Sequence, residues 1–284
     1  MMKMIGFSQV KVLLMFISGL LYAFVAIADS SASYLVSQIK QNGINALLYT
    51  PKLDKTIPAV IVLGGSSGRL NTEYSEILAA NGIVVLSLAY FKAEGLPQTL
   101  DNVPVEIVSR GLDYLQSLPQ VEVTQLGILG VSRGSELAFL SASVDNRVRA
   151  VAGIVPSSVS WHGQTGANAW SLQSKPVAAL TFERRSPVPI FERAKLALDD
   201  QQAVKRAQFS FDNINGAVLL VSAKQDHIWP SHFMSKQIIA HLKLSGFKFP
   251  VQHIVVDDNH FLGETSKKSI EKSIVAHFSQ LESH

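Results

Sequence analysis

Cysteine is absent from all 284 residues. That excludes disulfides, a thiol nucleophile, thiolate metal ligation and a lipidated N-terminal cysteine, and it is compatible with an exported, oxidising destination. Charge is also sparse, at 17% of residues against 47% hydrophobic, the balance of a chain with a large core. No basic run and no interleaving of aromatic with basic residues occurs, so no nucleic-acid partner is expected although the sequence pI is about 9.0. Internal repeats and low-complexity linkers are missing too, which argues for one domain after the N-terminal segment.

What is present begins with an apolar leader. Residues 1–28, MMKMIGFSQVKVLLMFISGLLYAFVAIA, hold two lysines, no acid, an apolar run from Val12, and Ala26-Ile27-Ala28 before Asp29. This is the layout of a secretory signal peptide, with cleavage expected after Ala28 and a periplasmic or secreted mature chain over 29–284. The alternative is an uncleaved anchor, the one membrane association foreseen, with Val12 to Ala28 marginal in length for a span. Loss of Lys3 and Lys11 takes the formal net charge down by two from +3, leaving a nearly neutral protein.

Past a lead-in over 29–56, with NALLYTP (45–51) a possible edge strand, continuous apolar runs recur: AVIVL from 59, IVVLSLA (83–89), QLGILGV (125–131), RAVAGIV (149–155), GAVLLVS (216–222) and VQHIVV (251–256). Strands buried on both faces, as in a parallel sheet, read this way. Helical spacing lies between them. A helix over Glu73–Ala80 stops at Asn81-Gly82; Val105, Val108, Leu112 and Leu115 share a face, with Pro104 expected in the first turn; Gly134–Ala142 and Ser231–Leu244 suit helices. The last helix, about Ser266 to Leu281, puts Ile270, Ile274, Phe278 and Leu281 on one side. Strands alternating with helices predict an α/β fold, a mostly parallel sheet covered on both faces. Residues 157–213, between the strands at 149–155 and 216–222, are long enough to form a lid, and VAALTF (177–182) is read as part of it.

Within LGILGVSRGSELAFL, residues Gly130-Val131-Ser132-Arg133-Gly134 have the G-x-S-x-G spacing of a nucleophile elbow, here between an expected strand and an expected helix. A serine hydroxyl needs a neighbouring imidazole to take its proton. His162 falls in the lid, His232, His241 and His277 on helices, His253 in a strand, His284 at the end, and His227 just after an acid. His260 follows the last strand, at the carboxyl edge where functional groups of such sheets gather. Asp226, which closes another strand, is the favoured acid. Asp257 and Asp258 sit too near His260 along the chain and are expected to shape its loop. Oxyanion donors are expected from the N–H of Arg133 and from Gly65 or Ser66 in the small-residue loop GGSSG. Trp161, Trp170, Phe182 and Phe191 of the lid are candidates to line an acyl pocket, or else pack lid against body. Lys175, Arg184 and Arg185 are candidates to meet an anionic substrate, or else form a solvated basic loop.

The segment LSLAYFKAEGLPQTLDNVPVEIVSRGLDYLQSLPQVEVTQLGILGVSRGSELAF, together with FDNINGAVLLVSAKQDHIWPS, WSLQSKP and DNHFLG, resembles the catalytic C-terminal domain of the acyl-CoA thioesterase and bile acid-CoA:amino acid N-acyltransferase family. The resemblance runs from about residue 58 to the C-terminus. It implies an α/β-hydrolase fold, a triad of Ser132, Asp226 and His260, an acyl ester or thioester as small-molecule substrate, no metal or cofactor, and a place in fatty acid metabolism. Two departures shape the expectation. Residues 29–56 are too few for the β-sandwich that larger members carry. Serine at 132, where the conjugating acyltransferases use cysteine, favours hydrolysis over transfer to an amine. Coenzyme A thioesters are intracellular, so either the substrate is another ester or thioester, which makes an exported carboxylesterase or acyltransferase the alternative, or the leader does not export. A non-catalytic binding protein would need a lost triad position, and none is lost.

Overall fold

Residues 33–183 and 185–279 are described by the computed structural model. The leader over 1–28 with its cleavage point, and Arg184, Leu281 and His284, lie outside the described residues. The lead-in is richer than expected. It folds as an antiparallel hairpin of β1 (Tyr34–Gln41) and β2 (Ile44–Pro51). Asn42 and Gly43 turn it with φ of 50° and 73°, the left-handed pair that a tight hairpin turn requires.

The chain continues through β3 (Ile57–Leu63), α1 (Thr72–Ala80), β4 (Val84–Leu88), β5 (Val103–Pro104), α2 (Glu106–Gln116), β6 (Val121–Val131), α3 (Arg133–Val144) and β7 (Val148–Ile154). An insertion follows, carrying β8 (Trp170–Leu172), β9 (Lys175–Pro176), α4 (Ile190–Asp199) and α5 (Gln201–Ala207). The chain then closes with β10 (Ala217–Ala223), α6 (Ser231–Leu244), β11 (Val251–Val256) and α7 (Glu264–Ser279).

The main sheet has the order β1-β2-β4-β3-β6-β7-β10-β11. It is antiparallel only across β1/β2 and β2/β4, and parallel from β4 to β11. Side chains alternate across the strands, so one continuous apolar run feeds two cores. Ala59, Ile61 and Leu63 of β3 face the core built with α2, α3 and α6. Val60 and Val62 face the core built with α1 and α7. Each buried Leu, Ile, Val or Phe removes enough apolar surface to contribute about 1.5–3 kcal/mol before entropy is counted.

Pro104 does not open α2 as its spacing suggested. Val103–Pro104 pairs with Trp170–Ser171 in a second, three-stranded sheet of order β5-β8-β9, and α2 begins at Glu106. A proline suits that short edge, since it has no N–H to give to a ladder. The segment 177–182 forms no strand; its one bridge joins Leu180 to Trp161. The insertion carries its own apolar cluster, in which Val159, Trp161, Leu180, Ala194 and Leu198 pack against Trp229 and Met234. Trp161, Ala194 and Trp229 of that cluster line one cavity with Val131 and Ile154, at the carboxyl ends of β6 and β7.

Candidate active site

Ser132 occupies the turn between β6 and α3 with φ 53° and ψ −119°, a left-handed conformation that costs a non-glycine residue free energy and is kept only where its surroundings enforce it. The flanking glycines supply the enforcement. A Cβ at Gly130 would lie 2.1 Å from the Gly134 carbonyl, and one at Gly134 would lie 2.3 Å from the Gly64 carbonyl. Only backbone fits there, so strand, turn and helix can close tightly enough to lift the hydroxyl. Ser132 N–H donates to the Ile154 carbonyl at 2.9 Å, which ties the turn to β7.

Two further loops at the same sheet edge meet this hydroxyl. Asp226 lies just beyond β10 and His260 just beyond β11, and both are buried. Ser132 Oγ is 2.8 Å from His260 Nε2. His260 Nδ1 is 2.9 Å from each carboxylate oxygen of Asp226. Asp226 Oδ1 also accepts from the N–H of Ile228 at 3.0 Å and of Trp229 at 3.2 Å, so the carboxylate is fixed before it meets the ring. Trp229 packs edge-on against the imidazole at 5.5 Å between centroids, as does Phe261 at 5.4 Å. The chain Asp226–His260–Ser132 is thus hydrogen-bonded end to end, with the acceptor face of one imidazole nitrogen aimed at the hydroxyl. Such an arrangement can accept a proton from serine while the carboxylate steadies the imidazolium that results.

The rival acids do other work. Asp258 accepts from the N–H of Asn259 and of Gly263, each at 2.7 Å; hydrogen bonds from Ser266 and these N–H groups hold its carboxyl below the ordinary range. Asp257 accepts from Gln225 Nε2 at 3.1 Å. Both shape the loop that presents His260. The remaining described histidines are placed elsewhere, apart from His162, whose ring lines the cavity and whose Nδ1 is 2.8 Å from the Gly163 carbonyl.

Ser132 and His260 open onto a cavity of about 530 Å³. Gly65, Ser66 and Arg133 line it beside the serine, and its apolar walls include Ile154, Trp161, Phe182, Ile190, Trp229 and Phe261. Trp161 and Phe182 therefore stand where the sequence suggested, with ring centroids 5.5 Å apart. Trp170 does not. It is fully buried in the main core, away from the cavity, and its indole N–H is committed to Glu136 Oε2 at 3.0 Å. Phe191 is not part of the cavity wall; Ile190 and Ala194 of the same helix are. Lys175 and Arg185 are exposed and do not line the cavity. The lysine that does is Lys267, held 2.8 Å from Glu73.

A buried ion pair that the sequence reading did not identify stands directly behind the elbow. Arg133 Nη1 is 2.8 Å from Glu136 Oε1, with both side chains almost wholly out of solvent. The guanidinium also donates to the carbonyls of Trp161 and His162, at 3.1 and 3.2 Å. Glu136 accepts from Trp161 N–H and Trp170 Nε1, each at 3.0 Å. Burial pushes the Glu136 carboxyl up to about 7, with the Arg133 charge and the two N–H donors opposing. The pair clamps the start of the insertion onto the first turn of α3, so the cavity wall and the Ser132 turn are set by one network. The signal is an i,i+3 pair of opposite charges in a helix otherwise made of apolar and small residues.

Among the described residues no cluster of three or more His, Asp or Glu could hold a metal ion, and no helix is long and apolar enough to cross a membrane.

Comparison with known proteins agrees with this architecture. Rat acyl-coenzyme A thioesterase 1 is 26% identical over 227 residues, covering 79% of this chain and 53% of its own. Mouse mitochondrial acyl-coenzyme A thioesterase 2 is 26% identical over 216 residues, 75% of this chain and 46% of its own. The chain spans about half the length of the curated relatives it matches. Among solved structures, DcsB in complex with its substrate analogue superposes with a TM-score of 0.59 at 16% identity, covering 88% of this chain and all of that one. Acetyl xylan esterase 1 from Thermoanaerobacterium gives 0.56 at 13% identity, covering 92% and 88%. These neighbours share the α/β-hydrolase fold. The family described as BAAT / Acyl-CoA thioester hydrolase C terminal matches residues 103–262, a span that contains Ser132, Asp226 and His260, and the chain belongs to that family.

Proposed function

We propose that this chain is a serine hydrolase of acyl thioesters or esters, working through Ser132, His260 and Asp226 and an acyl-enzyme intermediate. The observation that carries the proposal is the continuous hydrogen-bonded chain from Asp226 through His260 to Ser132 at the wall of an apolar cavity. Family membership supports the acyl chemistry.

In the proposed cycle His260 Nε2 takes the Ser132 proton as Oγ bonds to the substrate carbonyl carbon. The carbonyl oxygen becomes an oxyanion and receives N–H groups from Arg133 and from the Gly65–Ser66 loop. The α3 dipole adds to that stabilisation, since the helix starts at the nucleophile. His260 then returns its proton to the departing thiolate or alkoxide as the carbon–sulfur or carbon–oxygen bond breaks. Water, deprotonated by His260, attacks the acyl-enzyme, and collapse restores Ser132 and releases the acid. Apolar walls at Trp161, Phe182, Ile190 and Phe261 suit an acyl chain. Asp226 serves by holding the ring in the useful tautomer and offsetting its positive charge.

The proposal includes export. The leader read in residues 1–28 directs the chain away from the cytoplasm, so the natural leaving group is one met outside it rather than coenzyme A. The test is hydrolysis by protein lacking residues 1–28, on p-nitrophenyl esters and on acyl-CoAs of matched chain length, beside Ser132→Ala. Ester turnover with little acyl-CoA turnover is expected. A strong preference for acyl-CoA would overturn the export part, and activity surviving in Ser132→Ala would overturn the mechanism.

A further inference from the structure

An oxyanion site needs its second donor held as firmly as its first, and the loop after β3 has no helix to hold it. Besides Gln164 Nε2, 3.4 Å from the Ser66 carbonyl, what holds it is Tyr90, two residues past β4. This side chain is fully buried, packed against Phe91 and Trp170 with centroids 5.1 and 5.7 Å away. Its hydroxyl donates to the Gly64 carbonyl at 2.8 Å and lies 3.1 Å from the Gly65 carbonyl, one proton shared between two acceptors. Gly65 O also accepts from Gly68 N–H at 3.3 Å, closing a turn over 65–68.

A trans peptide points its C=O and N–H in opposite directions, and no cis peptide occurs among the described residues. The carbonyls of Gly64 and Gly65 are drawn toward Tyr90 in the core. The N–H groups of the same two peptides, those of Gly65 and Ser66, are thereby turned the other way. That side is the cavity, which Gly65 and Ser66 line and Tyr90 does not. The loop also runs beside the nucleophile, since a Cβ on Gly65 would lie 3.5 Å from Ser132 Cβ and 4.0 Å from its Oγ. Among the described residues neither N–H has a protein acceptor.

We propose that Tyr90 is a positioning residue for the oxyanion site: its hydroxyl, rather than its ring, fixes the loop so that the N–H groups of Gly65 and Ser66 face the oxygen that becomes negative when Ser132 attacks. This rests on the serine-hydrolase reading above. Burial drives the Tyr90 phenol well above the ordinary tyrosine range, so the hydroxyl stays a donor wherever the enzyme works. Because the oxyanion exists only on the way to and from the tetrahedral intermediate, loosening its donors costs turnover rather than substrate binding.

The test is Tyr90→Phe, which keeps the packed ring. Removing an oxyanion donor outright costs roughly 100- to 1000-fold in kcat, so a misaligned one is expected to cost roughly 10- to 100-fold, with KM within about twofold. Phenylboronic acid, which forms a tetrahedral adduct on serine, is expected to bind at least about tenfold more weakly to the variant. A hydroxyl that serves stability alone would lower Tm and leave kcat and boronate affinity within about twofold; that result overturns the assignment. Should Tyr90→Phe fail to fold, Ser66→Pro deletes one of the two N–H groups at the second position of the 65–68 turn, where proline is favoured, and carries the same kinetic expectation. Unchanged kcat there overturns the assignment equally. Wild-type protein with no Ser132-dependent turnover would instead overturn the hydrolase reading, and the role of Tyr90 with it.

Discussion

Breaking the clamp behind the elbow should cost far more than a surface ion pair. Glu136 and Arg133 are both withdrawn from solvent and 2.8 Å apart, so removing Glu136 strands the guanidinium. Loss of one partner of such a buried pair costs about 3–5 kcal/mol. Glu136→Ala also leaves Trp161 N–H and Trp170 Nε1 without the acceptor they share, which places the expected loss at about 4 kcal/mol, a large part of the 5–15 kcal/mol typical of a folded domain. Arg133→Gln removes the charge that holds the buried Glu136 carboxyl down, so that carboxyl takes up a proton at pH 7, and it releases the carbonyls of Trp161 and His162. In the double variant neither charge is stranded. The two losses should therefore fail to add, with a coupling of roughly 1.5–3 kcal/mol. Urea unfolding at pH 7 of the wild type, both single variants and the double variant measures this, provided m is unchanged. A coupling below about 0.5 kcal/mol, within the range for independent sites, would refute the view that the pair acts as one clamp.

Two other consequences are as direct. Gly134→Ala places a Cβ 2.3 Å from the Gly64 carbonyl and 2.7 Å from that of Leu63; backbone cannot give way cheaply, so a loss above about 2 kcal/mol is expected by urea unfolding, and an unchanged midpoint would contradict the packing argument. His277 sits under the sheet with Nε2 3.1 Å from the Val151 carbonyl, and burial pushes its pKa down to about 4. The unfolded chain binds this proton first as pH falls, so the ring's contribution is complete above about 6.5 and is lost progressively toward 4. His277→Gln should accordingly flatten the decline in stability between pH 6.5 and 4. An acid limb as steep as that of the wild type would show that the titrating group is elsewhere.

Much of this architecture was legible in the sequence because its signals are local and strong. Continuous apolar runs located the inner strands, since a strand covered on both faces has no polar side to show. The G-x-S-x-G spacing, read with a strand before and a helix after, located the elbow. Asp226 and His260 followed from the rule that loops at one sheet edge converge. Where the reading fell short, the deciding contact lay far along the chain. β1 was missed because a partly exposed edge strand has a broken apolar pattern, although Asn42-Gly43 marked its turn. Pro104 reads as helical in sequence because its partner, Ser171, lies in the insertion. Trp170 reads as a cavity candidate because an aromatic in a lid looks the same in sequence whether its indole meets substrate or Glu136. Tyr90 stood in plain view within the segment that carried the family resemblance, yet its hydroxyl acquires a purpose only once β3 and β4 lie side by side.

If Ser132 is the nucleophile, it is open to covalent capture. Folded protein lacking residues 1–28 is treated with a fluorophosphonate, digested and mapped by mass spectrometry. One equivalent of adduct on Ser132, absent in Ser132→Ala and greatly slowed in His260→Ala, is the result this structure predicts. No adduct on the folded protein, or an adduct on another residue that persists in Ser132→Ala, would contradict it.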